Sequence, residues 1–306
     1  MMLAEAECRA PHAANARVVT SVSPTFRAPF VRSDAGTLRG VIVVAPDAAL
    51  ASVPPLHGES HAIAERATEQ FGTFTKRLAA HGVKTIVSDA TGAAFGTLCA
   101  DGAVLFADGA FIMRPSALRR RGEIAPLEAT LARANVPVVG RIAAPGLLDG
   151  GDVLLAGDTL FVAVPRSRRN EEGIRPSVHG NAFGREQLAA YARSQNITVV
   201  EVLVAAEVSR LRSVSSLVDE RTLLVAPGLV DAAAFRGFTT IEAPRGEDFA
   251  AGVLALGSRR VLANLRFRET IPLLRKAKIS VDAIDLWEFG KIGATPSSMA
   301  LGLKRD

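Results

Sequence analysis

Two carboxylates, Asp149 and Asp152, bracket a Gly150-Gly151 step in the stretch Leu147-Leu148-Asp149-Gly150-Gly151-Asp152-Val153-Leu154-Leu155. Adjacent glycines let a backbone take positive φ or approach another group closely, so the step reads as a turn or a bulge. An acid fixed on such a turn, at the start of an apolar β-prone run, can face a cationic ligand or orient a histidine. The plain alternative is an ordinary loop followed by strand signals. Few other residues could do nucleophilic or proton-transfer chemistry. The two cysteines are Cys8 and Cys99, and the last of the five histidines is His179. Cys99 lies in an apolar stretch, where a buried structural thiol is the expected state. His57, His61 and His81 share no metal-ligand spacing, and no phosphate-cradling glycine loop occurs, so neither a metal nor a cofactor is expected.

Composition narrows the function classes. With 306 residues and 48% apolar content, the chain can build a sizeable core. Its apolar runs, such as residues 40–45, fall far short of the roughly 18 residues that span a bilayer. Early acids at Glu5 and Glu7 argue against a signal or transit peptide, so residues 1–26 read as a loose tail and 27–306 as a single domain. Two cysteines suit a reducing cytoplasm. The net charge of +5 comes from arginine, clustered at 119–121 and in the polar loop 166–183. Nucleic-acid binding would call for interleaved aromatics, yet the chain has one Trp and one Tyr, so neither nucleic acid nor membrane is expected as a partner. A homodimer is left open.

Short β-type runs alternate with helical segments from Arg39 onward. Strands are expected at 40–45, 84–87, 103–106, 110–113, 136–142, 153–155, 160–164, 198–202, 215–218, 222–225, 239–241, 260–263, 283–285 and 298–303. Tight hairpins are expected at 155–160 and 218–222. Helices are expected at 60–81, 123–134, 184–194, 230–236, 246–256 and 269–277. In the first of these, Ile63, Ala67, Phe71, Phe74 and Leu78 form one apolar face. Hairpin, helix and strand recur with a period near 45 to 60 residues. That pattern fits radial repetition of small blades as well as an open doubly wound sheet.

Taken in order, these segments resemble the guanidino-modifying superfamily: the arginine deiminases, the amidinotransferases and, most closely, the dimethylarginine dimethylaminohydrolases. The resemblance runs from about Arg39 to Arg305. It rests on Leu148-Asp149-Gly150-Gly151-Asp152-Val153, Phe161-Val162-Ala163-Val164, Asn181-Ala182-Phe183-Gly184, Arg114-Pro115 with Arg120-Arg121-Gly122-Glu123, and Glu288-Phe289-Gly290-Lys291. It implies an α/β fold, a five-bladed αβ propeller or pentein, with the site at the central axis. In the family a cysteine thiolate attacks the guanidinium carbon, a histidine moves protons, and an acid from the Gly-Gly turn orients that histidine.

Asp149 matches the acid, but the other two positions depart. Ser298 stands where the family has its cysteine, and Arg210 where it has its histidine. The resemblance also sets Asp101, Gly150, Gly151, Asp152 and His179 against the substrate. Asp101 is what remains of an Asp-Ser-x-Phe-Val-x-Asp segment, here Phe95-Gly96-Thr97-Leu98-Cys99-Ala100-Asp101, and His179 replaces a loop arginine. A serine hydroxyl needs a base, and an always-protonated guanidinium cannot be one. Two readings follow. One is a catalytically impaired member that keeps a scaffold role or a small ligand, arginine-like or a small anion. The other is an amidinohydrolase that converts an arginine-like substrate by altered chemistry. Arg210 is expected to pair with Asp149; alternatively it faces solvent while Asp149 caps a turn.

Overall fold

The computed structural model describes residues 24–56, 59–89, 92–166 and 180–306. His179, most of the loop 166–183 and the tail up to residue 23 lie outside the described residues.

Five three-stranded sheets are built on one plan. An antiparallel hairpin is followed by a crossover to a third strand parallel to the second. The first sheet joins β3 (Ala103–Leu105), β4 (Ala110–Ile112) and β5 (Val138–Arg141). The second joins β6 (Val153–Ala156), β7 (Thr159–Pro165) and β8 (Thr198–Val204). The third joins β9 (Ser215–Asp219), β10 (Thr222–Val225) and β11 (Thr239–Glu242). The fourth joins β12 (Leu254–Gly257), β13 (Arg260–Asn264) and β14 (Ser280–Ile284). The fifth closes the ring by pairing the C-terminal β15 (Leu301–Arg305) with β1 (Leu38–Val44), beside β2 (Lys84–Ser88). Burial identifies the inside. Strands β3, β6 and β12 are buried at every residue, whereas β5 and β11 are half exposed. This is the αβ propeller.

Both hairpins form at the expected places. Gly157 takes φ +65° in the two-residue loop between Ala156 and Thr159, a conformation that glycine adopts without strain. Asp219 accepts from the Arg221 amide in the other loop. Four helices cross from second to third strands: α1 (Ala64–Ala80), α2 (Ile124–Arg133), α3 (Ala182–Ser194) and α5 (Thr270–Lys276). Two one-turn helices, α4 (Leu211–Val214) and α6 (Trp287–Gly290), lead into the next sheets. Helix α1 buries Ala67, Phe74 and Leu78 as its periodicity requires, while Ile63 precedes the helix and is exposed. Phe26, at the end of the expected tail, is buried with its ring against Gly40.

Two expected helices are corrected. Residues 230–236 form only the 3-10 turn Ala232–Phe235. Residues 246–256 form the 3-10 turn Asp248–Ala251 and then β12. The run Val253-Leu254-Ala255-Leu256 is buried on both faces, and a wholly apolar segment carries no periodicity to separate strand from helix. The last strand begins at Leu301 rather than 298, because Ser298 closes a turn.

Candidate functional site

Each inner strand is entered through a tight turn, and the five turns meet at one end of the axis. Cys99–Asp101 precedes β3, Gly150–Asp152 precedes β6, α4 precedes β9, Asp248–Ala251 precedes β12 and the 295–298 turn precedes β15. Hydrogen bonds link them around the axis. The Gly151 amide donates to Asp101 Oδ1 (3.1 Å), the Leu211 amide to Asp152 Oδ1 (3.2 Å) and Ser297 Oγ to the Arg212 carbonyl (2.9 Å). The Ser297 amide donates to the Gly252 carbonyl (3.3 Å), and the Ala100 amide to the Ser298 carbonyl (3.2 Å). The structure therefore brings Asp101, Asp149, Gly150, Gly151, Asp152, Arg210 and Ser298 together from four turns.

The Gly-Gly step serves close approach, since neither glycine has positive φ. A Cβ on Gly150 would strike the Ala100 carbonyl, and one on Gly151 would strike the Asp101 carboxylate and come within 2.8 Å of Arg210 Cδ. The turn is held from behind by the Asn181–Gly184 segment. Asn181 Oδ1 accepts from the Leu147 amide (3.0 Å) and from the Gly184 amide (2.9 Å), so one side chain caps α3 and anchors the approach to Asp149. A Cβ on Gly184 would collide with the Leu147 backbone.

Arg210 does not pair with Asp149. Its Nε donates to Asp101 Oδ2 at 2.5 Å. The absent Cβ of Gly151 leaves the lane by which its Cγ and Cδ reach that acid. Nor does it face solvent, being only 12% exposed. A second guanidinium, Arg120 from the 3-10 turn Leu118–Glu123, pairs with the same Asp101 oxygen and with Glu123 Oε2 (2.7 Å). Burial of Arg120, the middle member of the basic run 119–121, beneath Phe95 is legible only in three dimensions. Burial alone would raise the Asp101 carboxyl, but the charges and hydrogen bonds of Arg210 and Arg120 hold it below the usual carboxylate range.

Asp149 is the odd acid of the group. It is 8% exposed, and its Oδ1 has no hydrogen-bond partner among the described residues. Burial, followed by the nearby Asp101 and Asp152 charges, pushes it up to about 7, against partial relief from Arg120 and Arg210.

Ser298 is fully buried and its hydroxyl is engaged locally. Oγ donates to the Thr295 carbonyl (2.9 Å) and accepts from the Thr295 amide (2.9 Å). The Cys99 thiol faces the Ile42 and Met299 carbonyls, each at 3.3 Å, and burial pushes it up to about 12, so it is no thiolate near neutral pH. The two described histidines lie elsewhere: His81 on Asp282 (2.8 Å) and His61 on the Ala51 carbonyl (3.0 Å).

Five hairpin-plus-strand blades, with an acid-Gly-Gly-Asp turn opening one inner strand at the axis, define a pentein of the amidinotransferase superfamily. Comparison narrows the class: the chain is 31% identical over 240 residues to an N(G),N(G)-dimethylarginine dimethylaminohydrolase of Streptomyces coelicolor, covering 78% of this chain and 86% of that one. The chain belongs to the dimethylarginine dimethylaminohydrolase family. A second relative of that name, from Pseudomonas aeruginosa, is 30% identical over 63% of this chain and 70% of its own. A solved structure of the Pseudomonas aeruginosa enzyme, a cysteine-to-serine mutant complexed with citrulline, superposes with TM-score 0.76 at 25% identity, covering 87% of this chain and 99% of that one. The amidinotransferase SxtG of Microseira wollei shares the fold at TM-score 0.73 and 14% identity, over 90% and 97% of the two chains. No family model matches the chain.

Proposed function

We propose that this chain is a catalytically impaired member of its family, in which Arg210 supplies internally the guanidinium that the acid corner would otherwise take from a ligand. The observation that carries the reading is the buried Arg210–Asp101 pair, with the acid held by a second arginine. Charge-assisted pairing of this kind fixes geometry, and removing one partner would leave a buried charge exposed to the low-dielectric interior. The Ser298 hydroxyl, bonded to its own turn, supports the same reading, since it has neither a free lone pair directed at a ligand nor a base beside it. A small-ligand role has its own support. A cavity of about 330 Å³ lies beside the Ser298 turn, walled by Phe249, Phe267, Trp287 and Pro296, with Asp248 and Glu59 at hand. A small molecule with an apolar body fits such a wall. Location in the cytoplasm belongs to the same reading; among the described residues no helix is long and apolar enough to cross a membrane.

The alternative, turnover of an arginine-like guanidino compound by altered chemistry, has one observation in its favour. A carboxyl poised near 7 at Asp149 can give or take a proton at working pH. A colorimetric assay for ureido products from arginine, methylated arginines and agmatine separates the two. We expect no product above the protein-free rate. Turnover that disappears in Ser298→Ala would overturn the impaired reading. Chemical rescue tests the self-filled corner. In Arg210→Ala, millimolar guanidinium should raise the melting temperature relative to sodium with the same anion, and the wild type should show no such gain. Equal responses of variant and wild type would sink the idea.

A further inference from the structure

The axis continues below the ring of turns as a narrow channel, and its charges do not balance. Arg305 enters it from the end of β15 and is 7% exposed. Its Nη1 donates to two carbonyls, Gly36 (2.7 Å) and Ala255 (2.9 Å). Its Nε is buried with no hydrogen-bond partner, and among the described residues no carboxylate pairs with it. The acid in the channel, Asp34, is already engaged: its Oδ2 accepts from Arg212 Nη2 (2.7 Å) and from the Leu155 amide (2.9 Å). Two guanidinium groups thus face one carboxylate in a nearly closed space; the other acid whose charge reaches Arg305, Glu220, is exposed at the β9–β10 turn and outside the cavity lining. Between them lies a cavity of about 20 Å³, lined by Asp34, Arg212, Arg305 and the apolar inner strands.

We infer that this channel is a binding site for one small monovalent anion of the halide class, held by Arg305 with Arg212 behind it. Buried charges in proteins are paired or neutralised, and a guanidinium has no neutral form to fall back on. Burial draws Arg305 down only to about 10, so the charge persists at neutral pH. A water could accept from Nε but would leave the charge uncompensated. The cavity volume admits a single occupant about the size of a water and excludes amino acids or phosphate esters. Arg212 also donates to the Gly150 carbonyl (3.4 Å), and its own carbonyl accepts from Ser297, so the occupant would brace two turns of the ring above. This inference does not rest on the loss of catalysis.

The test compares sodium chloride or bromide with sodium gluconate at matched ionic strength, using the full chain. The wild type should melt roughly 3–6 °C higher in the halides, as expected for a ligand well above its dissociation constant. Bromide-soaked crystals should give an anomalous peak against the Arg305 guanidinium. Arg305→Met should abolish the halide increment. Should that variant fail to fold, Gly302→Ala serves instead: its Cβ would stand 3.3 Å from Arg305 Nε and narrow the cavity, so the increment should fall by half or more. Melting that is the same in every sodium salt, a channel with water density and no bromide peak, or an undiminished increment in Gly302→Ala would overturn the inference.

Discussion

The two levels of the axis carry opposite imbalances. In the ring of turns, Asp101, Asp149 and Asp152 face Arg120 and Arg210; in the channel below, Arg212 and Arg305 face Asp34. The upper excess is acidic, and a carboxyl can relieve it by keeping a proton. Asp149, last to find a partner, does so with a pKa near 7. The lower excess is cationic, and guanidinium groups cannot relieve it that way. The same low dielectric therefore produces a titrating group at one level and a demand for a counter-ion at the other.

Substitutions can break or sharpen this contrast. The largest effect is expected from Asp101→Ala, which leaves the buried Arg210 guanidinium without a carboxylate and takes one of Arg120's two, and should cost about 3–5 kcal/mol in denaturant unfolding. Asp149→Asn should act in the opposite direction. Its folded pKa, about 7, lies above the ordinary 3.8, so the folded state retains a proton that the unfolded state releases between those values. This group's contribution is fully present below pH 4 and is lost as pH rises through 7. The variant should therefore gain up to roughly 4 kcal/mol over wild type at pH 8 and show no gain near pH 4; a pH-independent difference would refute the shift. Gly151→Ala places a Cβ against Asp101 and Arg210 and should cost about 1–3 kcal/mol by thermal melting. Ser298→Ala removes one turn hydrogen-bond partner, should cost about 1 kcal/mol, and should leave any ureido-forming rate unchanged.

Much of this molecule is legible in its sequence. Alternating hydrophobicity, turn glycines and the recurring hairpin-helix-strand unit placed fourteen strands over observed ones, missing β12, and all four helices longer than one turn. Motif order pointed to the propeller, and the Gly-Gly step to a tight turn at a strand start. Residues 246–256 were read as one helix because 253–256 are wholly apolar, and burial on both faces erases the period by which a strand is told from a helix. The partner of Arg210 was misassigned for a different reason. Local pattern cannot show that Arg120 lies under Phe95 or that Arg210 crosses Gly151, because the first contact spans the β3–β4 hairpin and the second joins turns of neighbouring blades.

By itself the sequence determined which groups are available: no histidine after residue 179, no cysteine after 99, a serine at 298, an arginine at 210, and glycines where backbones must touch. Tertiary structure decided which charges meet. Ring closure by β15 and β1 gathers turns separated by up to two hundred residues, and burial there turns each unpaired charge into either a shifted proton or a required ion.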